Sequence, residues 1–258
     1  MPLTTLRIRR ISLPKARLSE LPGAERNFLF LSGHILNELN SLNKVFMWCL
    51  NSHARGGTSK ITSLAQGVQS MVYARVLAGK LLEAWNALDP AWFGSRLSLN
   101  IEPRLHLDAS SSLSVLKRYF SHTNPIFRVR NSFAVHYSAE ELGANWEEAA
   151  QGAELEVVLG GTIGNNLDLA AELVANAAVL KAVNPTSPEI GLHTFLDDVQ
   201  TMVSHFTTFL EGAAIVLLET TLGGKLGDHG REEELQVQQS YSEVQLPYFC
   251  APDADKGA

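Results

Sequence analysis

The segment Phe127-Arg128-Val129-Arg130-Asn131-Ser132-Phe133-Ala134-Val135-His136-Tyr137 gathers residue types that phosphate chemistry uses. An arginine presents a planar fork of donors to phosphate oxygens. A histidine titrates near neutrality, so it can take a proton and return it. Arg130 and His136 are separated by five intervening residues, and that spacing alone carries no information. With thirteen Arg and eight His in the chain, about one such pair arises by chance. What distinguishes this one is its setting: Arg-Asn together, an apolar Phe-Ala-Val, and His-Tyr closing the run. The stretch from Pro103 to Tyr137 also holds Arg104, Lys117, Arg118, Arg128 and Arg130 against Asp108 alone, with His106, His122 and His136. Tyr119, Phe120, Phe127 and Phe133 are interleaved with these cations, a mixture that single-stranded RNA sites use. The competing reading pairs the cations with acids on other helices, notably Glu140 and Glu141.

Other constellations are weaker. His34 with Glu38, and His193 with Asp197, are i,i+4 pairs that could place two metal ligands on one helical face. Neither belongs to an HExxH or a Glu-x-x-His repeat, and polar positions on amphipathic helices explain both. Cys49 follows Met47-Trp48 on an apolar helix, where a thiol is a small hydrophobe. There is no G-x-S-x-G. Gly160-Gly161-Thr162-Ile163-Gly164 lacks the Gly-Lys-Ser/Thr ending of a phosphate loop, which favours a turn. The aromatics Trp48, Trp85, Phe206 and Phe209 are expected in the core.

The elements that must position the motif are helical. Apolar residues recur every three or four positions from Glu25 to Asn51, and again to Leu88 after Gly56-Gly57, with Thr58 or Ser59 as N-cap. Two long helices joined by a short turn pack antiparallel. Residues 90 to 110 are expected to be loop and irregular pieces, and Ser110 to Phe120 a short helix. Pro125 suits the first turn of a motif helix that runs through Tyr137. Ser138-Ala-Glu-Glu has the capping-box pattern of another short helix. Residues 154 to 159 fit a short strand. Leu167 to Val183 and Pro188 to Leu222 are amphipathic, the latter one helix or two. We expect three parts: a basic N-terminal arm (1–22), a helical domain (23–225), and a Gly-rich exit with an acidic tail (226–258). Arm and tail are either loosely ordered or packed on a partner subunit.

The RNSFAVHY segment resembles the R-x(4–6)-H signature of the HEPN superfamily, in the form found in its abortive-infection-associated branch. The similarity spans about residues 25 to 220 in architecture and about eight residues in motif. It implies an all-α helical bundle of HEPN type, with long antiparallel helices and short accessory ones, that dimerises so that two motif helices meet at a cleft. It further implies a metal-independent endoribonuclease of a defence or toxin–antitoxin system, with RNA as substrate, an antitoxin as partner and no cofactor. Carried over, Arg130 holds the scissile phosphate, His136 is general acid or base, Asn131 orients one of them, and Tyr137 stacks on a base or bonds the phosphate. Arg104, Lys117, Arg118 and Arg128 would line the RNA path. On an ideal helix Arg130 and His136 lie roughly 120° apart and about 9 Å along the axis. A dimer relaxes that constraint. A non-catalytic binding protein of the same fold and an unrelated helical bundle are the alternatives.

Composition bounds all three readings. The chain has 258 residues, 27 acidic and 21 basic, for a formal charge of −6. That acidity excludes a broad coat on duplex DNA, which needs phosphates neutralised by Lys and Arg. It permits one local anion site. The 45% apolar content excludes a disordered chain. Cys49 and Cys250 form no framework, so a cytoplasmic location is expected. The most apolar run, Phe206 to Leu218, is too short for a membrane span, and the N-terminus lacks the apolar stretch of a signal peptide.

Overall fold

The computed structural model describes residues 4–54, 59–130, 143, 146, 155–162 and 164–251. It is mostly helical. The chain runs β1 (Thr4–Arg10), α1 (Lys15–Glu20), α2 (Gly23–Ala54), α3 (Lys60–Leu88), α4 (Leu97–Ile101), α5 (Leu107–Phe120), α6 (Pro125–Val129), β2 (Val157–Val158), β3 (Leu167–Asp168), α7 (Leu169–Val183), α8 (Pro188–Leu222) and β4 (Arg231–Val237). Two compact units divide it: residues 1–41, 80–123 and 200–241 form the first, and 42–79, 124–199 and 242–258 the second. The first part of α2 shares a unit with the last part of α3, and the remaining parts share the other, as expected of antiparallel neighbours. Ser59 caps α3, its Oγ accepting from the Thr62 amide at 3.3 Å.

The first unit is built on aromatic packing. Trp92 is fully buried, its ring 4.8 Å from Phe28 and 5.1 Å from Phe209. Trp85 stacks on Phe120 at 5.1 Å, and Phe120 meets Phe206 at 5.9 Å. These distances suit offset or edge-on ring pairs. Trp92 lies in Asp89–Gly94, a wide helical turn just after α3, within the stretch expected to be irregular. The turn is fixed because its tryptophan is inserted into the core. α8 is one helix of 35 residues. By length and composition it would suffice to cross a membrane, which the run Phe206 to Leu218 did not suggest. Its stripe Phe195, Val199, Met202, Phe206, Phe209, Ala213 and Val216 is nevertheless buried within the protein, at the three-to-four spacing of a core helix.

The basic arm and the acidic tail pair with each other. β1 and β4 form an antiparallel two-stranded ribbon in the first unit, with Leu6 opposite Leu235 and Arg9 opposite Glu232. Arg7 meets Glu234 at 3.5 Å, Arg10 meets Glu233 at 3.0 Å, and Arg9 bonds both Glu232 and the Gly227 carbonyl. Exposed ion pairs of this kind stabilise by about 0–1 kcal/mol each, so they select the pairing more than they hold it.

A close helix contact in this unit lies at Gly212 of α8. A Cβ there would sit 2.4 Å from the Ala109 Cβ of α5. Gly212→Val is expected to cost about 2–3 kcal/mol through overpacking. Urea denaturation measures this, and Ala109→Gly in the same chain should recover part of the loss.

Candidate functional site

The start of the motif helix is well specified. The Asn124 side chain accepts from the Phe127 amide at 2.8 Å, and Pro125 occupies the first turn, where its missing N–H costs nothing. Ile126 and Val129 are fully buried, and α6 packs on α7 in the second unit. Arg130 follows with helical backbone angles, φ −60° and ψ −45°, and is half-buried. The rest of the constellation lies outside the described residues: Asn131, Phe133, His136, Tyr137 and the Ser138 capping box.

Three of the four expected phosphate-binding cations have partners of their own. Arg104 donates to Thr220 Oγ1 at 2.8 Å. Lys117 is held by both Glu102 carboxylate oxygens, at 2.8 and 3.0 Å, and sits 5.4 Å from the centre of the Phe93 ring. Arg128 donates to the Ala182 carbonyl at 2.8 Å. That carbonyl is in the last turn of α7, where no intrahelical donor remains, so Arg128 serves as a C-terminal cap. Arg118 is exposed. Among the interleaved aromatics, Phe120 belongs to the first unit's ring cluster, Tyr119 packs on it at 5.1 Å, and Phe127 is exposed.

The lesser candidates also resolve. Glu38 faces Lys80 at 2.9 Å, with His34 at 3.9 Å, an ion-pair arrangement. Among the described residues, no three His, Cys, Asp or Glu side chains gather. Cys49 is fully buried, and burial pushes its thiol up to about 11, which keeps it protonated and poorly nucleophilic. The glycine-rich segment is the connection between β2 and β3: the Gly160 amide donates to Asn166 Oδ1 at 2.8 Å, and Gly164 takes φ +92°. Asp168 then caps α7 through the Ala171 amide at 2.9 Å.

Two features escaped the sequence. In the second unit, Arg75 of α3 spans Glu172 and Asn176 of α7. Its Nη2 lies 3.2 and 2.9 Å from the two carboxylate oxygens, and its Nη1 3.4 Å from Asn176 Oδ1. Glu172 and Asn176 are i,i+4, so they share a face. The advance signal was two polar residues one turn apart in a mostly apolar helix. In the first unit, His205 Nδ1 meets Ser112 Oγ at 3.2 Å, and burial lowers the histidine below its ordinary range.

Both features give measurable expectations. The Arg75 side chain is 11% exposed and Glu172 23%; Arg75→Ala strands a carboxylate and should cost about 2–3 kcal/mol. Arg75→Met with Glu172→Leu should recover most of that in urea denaturation, since it leaves no charge unpaired. For His205, the unfolded chain binds a proton more readily than the folded one. Its stabilising contribution is therefore complete above the ordinary value of about 6.5 and is lost as pH falls from there through the lowered folded value. Stability measured from about pH 7.5 down to pH 5 should fall less in His205→Asn than in the parent. No protein-family model, no curated protein and no solved structure matches this chain.

Proposed function

We propose that this chain is a HEPN-like helical-bundle protein that cleaves RNA without a metal, as the effector of a cytoplasmic defence or toxin–antitoxin pair. The observation that carries the reading is the RNSFAVHY segment. Its first residue, Arg130, continues a helix whose start is set by Asn124 and Pro125, so the arginine's position follows from local structure. The mostly helical fold with long antiparallel helices supports the same reading.

In this mechanism Arg130 holds the scissile phosphate and stabilises the charge that develops on its oxygens. His136 takes the ribose 2′-OH proton as O2′ attacks phosphorus. The imidazolium so formed returns the proton to the leaving 5′ oxygen as its bond to phosphorus breaks, which gives a 2′,3′-cyclic phosphate. Asn131 orients a reacting group, and Tyr137 stacks on a base. In a homodimer, His136 of one copy works with Arg130 of the other, which removes the constraint of their angular separation on one helix.

A second reading, a non-catalytic binding module of the same fold, is favoured by the engagement of Arg104, Lys117 and Arg128 within the protein. Incubating purified protein with RNA in EDTA separates the two. The ribonuclease reading expects products with cyclic phosphate ends, reduced at least about a hundredfold by His136→Ala or Arg130→Ala. Products identical in parent and His136→Ala, or none at all, sink it. A partner that co-purifies and is lost in Arg130→Ala, without cleavage, establishes the second.

A further inference from the structure

The second unit contains a cavity of about 670 Å³ that RNA cleavage does not use. Its walls come from the end of α2, the start of α3, α7 and the start of α8, including Leu50, Val68, Met71, Leu173, Leu180 and Leu196. That volume lies in the range of small-molecule sites, which are mostly apolar with a few placed polar groups. Here Glu172 and Asn176, the residues spanned by Arg75, line the cavity.

We propose that this cavity binds a small neutral amphiphile, an aliphatic body carrying one hydroxyl or amide group that hydrogen-bonds Glu172 and Asn176. The geometry of the Arg75 cluster selects that chemistry. Arg75 uses one lone pair on each Glu172 oxygen, and a carboxylate has about four acceptor sites. Asn176 turns its Oδ1 to the guanidinium, so its NH₂ end is the donor left for a ligand. The corner thus accepts one hydrogen bond and donates another, which a hydroxyl or an amide satisfies together. Net charge finds no match there. The Glu172 carboxylate repels an anion, and Arg75 already neutralises it against a cation. The leucine-rich walls then make either ion costly to desolvate. At the margin Lys60 and Glu156, both exposed and opposite in sign, leave no net field to draw an ion in.

The probe is N-phenylnaphthylamine, a neutral apolar fluorophore, titrated into the full chain and displaced by decanol, decanamide, decanoate or decylamine. Saturable fluorescence is expected, with decanol and decanamide displacing it at least about tenfold more tightly than either ion. Leu173→Trp and Val68→Phe fill the cavity from different helices. Each should weaken the probe at least about tenfold while the far-ultraviolet circular dichroism stays that of the parent. Arg75→Met with Glu172→Leu should keep probe binding and weaken displacement by decanol and decanamide at least about tenfold, because the hydrogen-bonding corner is gone. Absence of saturable binding overturns the site, as does unchanged binding in both folded filling variants. Equal displacement by all four amphiphiles overturns the ligand class. None of these readings depends on RNA cleavage.

Discussion

Burying α7 is the constraint that organises the second unit. Its fifteen residues carry two charges, Glu172 and Lys181, and its apolar positions fall on every side. Such a helix needs neighbours on more than one side, and Val174, Ala175, Ala178 and Val179 are buried while Ala171 and Lys181 stay exposed. The neighbouring elements can be understood as ways of doing so. Asp168 satisfies an amide at its start and Arg128 a carbonyl at its end, α6 packs along it, and Arg75 compensates its one inward carboxylate. The motif helix and the cavity wall therefore share one support. A change that unseats α7 would disturb both, so variants meant to probe either site need an independent check of helicity.

The helices were legible because three-to-four periodicity is a local property of the chain. α2, α3, α5, α7 and α8 follow the apolar pattern to within a few residues, and Ser59 and Pro125 mark starts through capping chemistry that acts over three or four positions. What the sequence hid depends on distant partners. Asp89–Gly94 contains a proline and a glycine and has the composition of a loop. Its order comes from Trp92 reaching Phe28, 64 positions earlier, and Phe209, 117 later. The 35-residue α8 was ambiguous for a related reason: its stripe is continuous, but continuity alone cannot say whether a helix bends or breaks.

The candidate site divides along the same line. Arg130 was legible because its position follows from a cap six residues upstream. The four cations around it were grouped by a count of charge along the chain, and such a count has no access to where each side chain ends. Lys117 illustrates the difference. It contributes +1 to a basic stretch, yet in space it lies between the Glu102 carboxylate and the Phe93 ring and offers little field beyond them. Arg128 is committed in another way, to backbone carbonyl dipoles at a helix end, where a positive charge is favoured by the macrodipole. Proximity to an anion site therefore has to come from Arg130 and the residues that follow it, and the flanking charge adds less than its sum suggests.

Charge counted along the chain is equally incomplete at its two ends. A surplus of five bases against one acid in residues 1–22 invites the idea of an external anionic partner. Antiparallel pairing with Arg231–Val237 supplies that partner internally, since Arg7, Arg9 and Arg10 each meet a glutamate of the facing strand. Leu6 opposite Leu235 adds a cross-strand apolar pair. A one-residue slip that set Arg9 against Glu233 would turn those leucines to the other face while still facing Arg9 with a glutamate, so the apolar pair, more than the charges, specifies the observed register. Part of the chain's charge is thus already arranged in opposite-sign pairs within the protein. Among the described residues, Arg118 and Lys60 are cations that stand exposed.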